Sequence, residues 1–531
     1  MVDASIYSKG AIVKSFLRRF APFVLGVLIG FDRWRFRGSK RMLCYADGVM
    51  SFLSRHSVLL KDFNQPYAKA TTDRLCAAIE KPAEQAGIYR FLNSSKISKE
   101  ETALAIAQRH GKTEGLIAVL GCTEPCQNLR VRKDHQSKML EVRVESGKCL
   151  HYYHYYLDAE FGLRYTRLQS WFPFTMHMGL NGREWLAQQM TKAGIDFVKK
   201  DNCFTWIKDF AAAQRLMDKQ LETKWQPLLD RWAQESFPLG ERLLESAVPY
   251  YWSVQEAEFA TDVAFRSAAD LAKVYPRFVQ HAYATLRGQD LLQFMNYRVR
   301  PDGRPLAMGE VKTTIKELVE GTCVRHHVLR NLLKMYDKMM SVLRIESLLL
   351  DLEHFKVFRT KEGDDGGPMS YRRLRKGVAD MHRRAEVSAK INDRYLSSLA
   401  SVEEKQTLAE VTKDLAQRVQ WKGRTCRALN PLSPQDAALF EAVNRGEFMI
   451  AGFGNRQIRA LLYPEAESAD AATQKRLSAK VTRLLRLLRA HGLIAKLPKT
   501  RRYQVTEKGR VSLSVILAAR AANAKVFLQA A

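Results

Sequence analysis

Cys122 and Cys126 in CTEPC, followed by Cys149 and His151 in KCLHYY, have the residue types of a zinc site. A structural zinc takes four sulfur or nitrogen ligands, usually in two close pairs. CxxxC followed by CxH sits at the margin of both spacings, and half-buried cysteines in strands are the commoner arrangement, so no structural zinc is expected. Glu124, Asp158 and Glu160 are the carboxylates of the same stretch, and could hold Mg²⁺ in a nuclease or transposase centre if folding gathered them. Acidic residues at strand ends are usually solvated turn residues. The run HYYHYY puts His151, Tyr153 and Tyr155 on one face of a strand and Tyr152, His154 and Tyr156 on the other. One such face, beside Arg164, Arg167 and Trp171, could stack single-stranded bases while the cations hold the backbone.

The chain carries 85 Lys and Arg against 56 Asp and Glu, a net charge of +29 over 531 residues. A globular protein this basic repels itself unless it meets a polyanion, which makes nucleic acid the expected partner, DNA before RNA. The cations are spread along the chain rather than gathered on one amphipathic face, which argues against a membrane surface. A hydrophobic share of 46% and a charged share of 27% fit a folded chain of several domains. The eight cysteines are too sparse for a disulfide framework, so a reducing, cytoplasmic setting is expected. APFVLGVLIGF, Ala21 to Phe31, is too short to span a bilayer and reads as a buried strand or helix.

The elements that must position these residues follow from hydrophobic period. The pattern predicts an α+β, multi-domain chain: a helical N-terminal region over 1–111, an α+β domain with an antiparallel sheet over 112–245, and a second such domain over 246–360. A basic helical connector over 361–430 and a winged helix-turn-helix over 431–531 complete it. TKEGDDGGPM, residues 360–369, reads as an exposed loop. In YRRLRKGVADMHRRAEVSAK the cations Arg372, Arg373, Arg375, Arg383 and Arg384 are expected to make a second nucleic-acid surface on one helix.

Between Pro434 and Arg520 three helical patterns precede two short strands, LIAKLP and RYQVT. From residue 421 onward there are 20 Lys and Arg against 7 Asp and Glu. The third helix sets Leu477, Val481, Leu484, Leu485 and Leu488 at core spacing, with Lys475, Arg476, Lys480, Arg483 and Arg486 outside, and Lys499, Arg501 and Arg502 lie on the strand turn. Such a helix can enter a major groove while the hairpin tip grips phosphates. LLRAHGLIAKLPKTRRYQVTEKGR resembles the winged helix of multiple-antibiotic-resistance-type regulators, and the resemblance implies DNA binding by this module.

GTCVRHHVLRNLLKMYDKMMSVLRIES, Gly321 to Ser347, is similar to the strand pair of rolling-circle replication initiators, in which Tyr, Asp and Lys on one strand precede Arg and Glu on the next. The likeness implies Tyr336 as nucleophile, Asp337, Lys338 and Arg344 beside it, and Glu346, Asp337 and His326 as ligands for Mg²⁺ or Mn²⁺. His326 and His327 are adjacent and must point to opposite faces of a strand, a departure from the paired-histidine pattern of such enzymes. KCLHYYHYYLDAEFG, RLQSWFPF, NGREWL and KDNCFTWI resemble a family of bacterial proteins associated with mobile elements, which implies a mobile-element setting but no activity. Three functions follow: a DNA-binding protein of a mobile element, a metal-dependent nicking, replication-initiating or transposing enzyme, and a non-catalytic binder of structured RNA.

Overall fold

A computed structural model describes residues 13–244, 248–297, 311–318, 321–361, 366–400, 408–445, 448, 452–467, 469–497 and 500–521. Its first thirteen strands are β1 Val24–Ser39, β2 Tyr89–Leu92, β3 Gly115–Lys133, β4 Leu140–Asp158, β5 Gly162–Gln169, β6 Met176–Asn181, β7 Phe197–Lys200, β8 Cys203–Ile207, β9 Tyr251–Phe265, β10 Val311–Leu318, β11 Gly321–Val328, β12 Asn331–Lys338 and β13 Val342–Leu348. Among the described residues eleven of these form one sheet in the order β10-β11-β12-β13-β9-β1-β6-β5-β4-β3-β2, and β7 and β8 make a separate hairpin. The β2–β3 pair is parallel, whereas β1 runs antiparallel to both its neighbours.

The chain is α+β, and the strands expected for two separate domains join a single sheet. By compactness it divides into two units: one reaches to Tyr275 and includes Thr314–Arg325 and Arg330–Asp393, the other holds Pro276–Thr313, His326–Leu329 and the chain from Arg394 onward. The N-terminal region is not simply helical. Helices α1 Ala46–Arg55, α2 Lys69–Gln85 and α3 Lys99–Arg109 fall where the period places them, but the apolar run from Val24 becomes the inner strand β1. β3 runs straight through CTEPC. β2 pairs with β3 only as far as Cys122, so Pro125 sits where its missing N–H costs no ladder bond.

Helices α4 Gly182–Lys192 and α5 Phe210–Lys219 pack beside β1. A Cβ at Gly30 would lie 2.4 Å from the Met217 methyl, so a larger residue there would force that side chain to move. β6 pairs with β1 from Arg33 to Gly38 and leaves the earlier part of that edge open. There Gln214 accepts from the Ile29 N–H at 2.7 Å and donates to its carbonyl at 2.9 Å, meeting the backbone's demand for partners.

The basic stretch after residue 360 is only partly helical. Residues 362–365 of the expected loop lie outside the described residues; β14 Lys356–Arg359 pairs with β15 Ser370–Arg373, and helix α6 spans Met381–Leu399. A broad cationic face on one helix does not form. Arg372 and Arg373 are on a strand, Arg375 and Arg383 both donate to Asp380, and Arg384 is buried with its guanidinium on the Leu349 carbonyl. Farther on, β16 Val419–Trp421 and β17 Arg424–Cys426 form a hairpin.

The C-terminal stretch, within the second unit, has helices α7 Pro434–Val443, α8 Asn455–Leu462 and α9 Ala471–Ala490, the hairpin of β18 Ile494–Lys496 with β19 Tyr503–Val505, and α10 Glu507–Ala521. Ser433 and Asp470 cap α7 and α9 by accepting backbone N–H groups, and Gly492, at φ 72°, follows the end of α9. Leu439, Phe440, Phe453, Ile458, Val481, Leu485, Leu488 and Leu493 share a core of their own. Among the described residues no helix is long and apolar enough to cross a membrane.

Candidate active site

The richest chemistry lies on one face of the sheet where β12, β13, β9 and β1 run side by side. Alternation puts Lys334, Tyr336 and Lys338 on one face of β12, and the register sets Lys334 opposite Glu346 and Tyr336 opposite Arg344 on β13. Next, Arg344 and Glu346 stand beside Asp262 and Ala260 of β9, and Glu258 continues the same face two residues on. A register shift in β1 between Phe31 and Arg33 brings Asp32 to this face. Burial varies little across it: Asp32, Lys334, Arg344 and Glu346 are all buried.

Two ion networks result. Arg344 grips Asp262 through two bonds, 2.6 and 2.9 Å, reaches Asp32 at 3.0 Å, and donates to the Asn202 carbonyl at 2.8 Å. Arg183 of α4 pairs with Asp262 at 2.9 Å, and Asn202, on the β7–β8 turn, donates to Asp32 at 2.7 Å. Lys334 bonds Glu346 and, at 3.1 Å, Glu258, while Lys338 reaches Asp201 at 3.3 Å. Burial works against the charged form of Asp262, yet Arg344 and Arg183 hold its carboxyl below the usual range. Asp32 is raised, burial outweighing the same two guanidinium groups. Burial pushes Glu346 up to about 6, and Tyr336 is raised by burial and by the Glu346 charge.

Three carboxylates, Asp32, Glu258 and Glu346, bring oxygen atoms within 4.8 Å of one another. They open on a cleft of about 200 Å³ shared with Tyr336, Lys334, Lys338 and Asn202. Two oxygens here, Asp32 Oδ1 and Asn202 Oδ1, are buried without a hydrogen-bond donor. Arg344→Met should lower unfolding stability by about 3–5 kcal/mol in denaturant titrations, since it takes the main cation from two buried carboxylates and leaves Asp262 with Arg183 and Asp32 with the Asn202 amide; a change under about 1 kcal/mol would show that these remaining partners suffice.

Of the residues expected from sequence, Tyr336, Lys338, Arg344 and Glu346 meet at this face. Asp337 does not, because it points to the other face of β12. His326 is also elsewhere: its ring nitrogens bond Tyr395 and Thr313 at 2.8 Å each, and burial lowers it to about 4. Asp32, Glu258, Asp262, Lys334, Arg183 and Asn202 are additions. The alternation Glu258, Ala260, Asp262 on a strand is the one local signal that marks a charged inner face.

Other expectations fare differently. Asp158 closes a turn by accepting from Glu160 and Phe161 and pairs with Arg164, while Glu124 accepts from Tyr153 and Arg167, so these carboxylates do not converge. Both faces of HYYHYY are buried, which removes the stacking platform. Cys126, Cys149 and His151 do come together, whereas the Cys122 thiol stays outside their group. On α9 the cations Lys475, Arg476, Lys480, Arg483 and Arg486 are exposed, as is Arg501; Arg502 donates to the Gly452 carbonyl at 2.7 Å, and Lys499 lies outside the described residues. Compared with known proteins, the chain matches no family model, no curated protein and no solved structure.

Proposed function

We propose that this chain is a divalent-cation-dependent enzyme that cuts nucleic-acid strands through Tyr336, with a C-terminal winged helix that brings it to DNA. The observation that carries this reading is the convergence of Asp32, Glu258 and Glu346 within 4.8 Å beside a tyrosine and two lysines on one cleft. A trio of hard oxygen donors with unpartnered buried acceptors beside it suits Mg²⁺ or Mn²⁺. Asp32, Glu258 and Glu346 would hold the cation, which when bound draws charge from a phosphate.

The chain's own groups supply the rest. Tyr336 Oη forms the new bond to phosphorus and gives its phenolic proton to water in the cleft, while a bridging oxygen leaves with its electron pair and takes up a proton from water. Lys338 and Lys334, whose ammonium groups lie 5.9 and 6.0 Å from the Tyr336 ring centre, offer charge to the non-bridging oxygens. The order of α7, α8, α9 and the β18–β19 hairpin, with the cations of α9 outward, supports the winged-helix assignment. A mobile-element setting fits an enzyme that both docks on and opens DNA.

The test is cleavage of single-stranded and supercoiled DNA with Mg²⁺ or Mn²⁺, with chelator as control. Nicking that stops in chelator and falls at least roughly a hundredfold in Glu346→Gln is expected, since removing a ligand removes the charge that stabilises the transition state. If wild-type protein leaves both DNAs intact with either cation, the carboxylates and lysines are a structural ion network and the chain is a DNA-binding protein only.

A further inference from the structure

We infer that Cys126, Cys149 and His151 form a second metal site, one for a thiophilic d¹⁰ cation, zinc above all. It lies on the β3–β4 strand pair and uses none of the carboxylates of the cleft. The register sets Glu124 opposite Cys149 and Cys126 opposite Gly147, so the two cysteines are diagonal neighbours on one face of the pair, and His151 follows Cys149 on that face two residues on. Their sulfur atoms are 3.1 Å apart, and the imidazole nitrogens are 4.0 Å from the Cys149 sulfur. Bonds of about 2.3 Å to zinc would spread two thiolates to about 3.8 Å, a small adjustment for side chains that are only half-buried.

The histidine supplies the independent sign. Its Nδ1 lies 3.1 Å from the Cys149 carbonyl, a group that only accepts, so Nδ1 carries the proton and donates. Nε2 is then left with the lone pair, 4.0 Å from the Cys149 sulfur. A ligating histidine is held in this way, its other nitrogen donating to a carbonyl so that the tautomer is fixed. Two thiolates and a neutral imidazole cancel the charge of a divalent cation, which lets the site sit in a partly dry place. Soft sulfur donors select zinc over the hard cations that suit the cleft. Three protein ligands leave a fourth position for water or a further group.

Protein purified without chelator should hold about one zinc per chain by elemental analysis, and Cys126→Ser and Cys149→Ser should each hold at least about fivefold less. Cys426→Ser and Glu346→Gln should keep the zinc, which separates this site from the cleft. Because a cysteine variant can also fail by misfolding, the wild-type protein refilled with Co²⁺ should show sulfur-to-metal charge transfer in the near ultraviolet. The inference is overturned by wild-type protein that neither retains zinc nor takes it up, by a Co²⁺ spectrum without charge transfer, or by a mass two hydrogens low, which would mean a Cys126–Cys149 disulfide.

Discussion

If the chain cuts DNA as proposed, Tyr336→Phe is expected to abolish the covalent protein–DNA adduct and to lower strand cleavage by at least roughly a thousandfold, with affinity for DNA within about twofold of wild type. The substitution removes one oxygen from a side chain that is nearly buried and leaves the ring between Lys334 and Lys338 in place. Packing and the charge of the cleft are therefore preserved, and the loss is confined to bond formation at phosphorus. Denaturing gels of protein incubated with end-labelled DNA and Mn²⁺ read the adduct directly. A variant that still forms it would move the nucleophile elsewhere; a variant that cleaves normally without any adduct would leave water as the attacking group and the carboxylates as its support.

How far such a site can be read from sequence depends on how local its geometry is. Tyr336 and Glu346 were picked out by the likeness to a strand pair of rolling-circle initiators, and their sharing of one face with Lys334, Lys338 and Arg344 follows from alternation on β12 and β13, neighbours in sequence joined by a short turn. Asp32 and Glu258 were not, because β1 pairs with β9 across more than 200 residues and period says nothing about which strands become partners. The same gap merged two expected sheets into one. Asp32 ends an apolar run that reads as a buried element, and only the register shift beside it turns its carboxylate toward the cleft.

Charge misled where burial decides. Arg384 was expected on a nucleic-acid surface, but α6 packs that side inward, and the arginine there satisfies the Leu349 carbonyl rather than a phosphate. Arg375 and Arg383 are spent on Asp380, a single carboxylate that the run of cations hides. In α9 the expected division of faces appears because both are defined within one helix: Val481, Leu485 and Leu488 are buried, Leu477 and Leu484 are half-buried, and the cations opposite them are exposed. Local amphipathicity, unlike strand pairing, needs no distant partner to be read.

Those cations make the second large expectation. At 100° per residue Lys475, Arg476, Arg483 and Arg486 fall within an arc of about 100° on the side away from Val481, Leu485 and Leu488. Changing Arg476, Arg483 and Arg486 together to alanine should weaken duplex DNA binding by roughly a hundredfold at about 0.1 M salt and flatten the plot of log affinity against log salt by about three units, because each lost phosphate contact releases about one counterion fewer. The loss should be similar for unrelated sequences if the three contact phosphates, and uneven if any of them reads a base edge. The helix should keep its fold, since all three side chains are exposed and alanine is the better helix former. Full-length protein titrated onto labelled duplexes at several salt concentrations measures both quantities. An unchanged slope would take α9 off the DNA and turn this module into a protein-contact surface, while cleavage by Tyr336 on short single strands, which needs only the cleft, would be untouched.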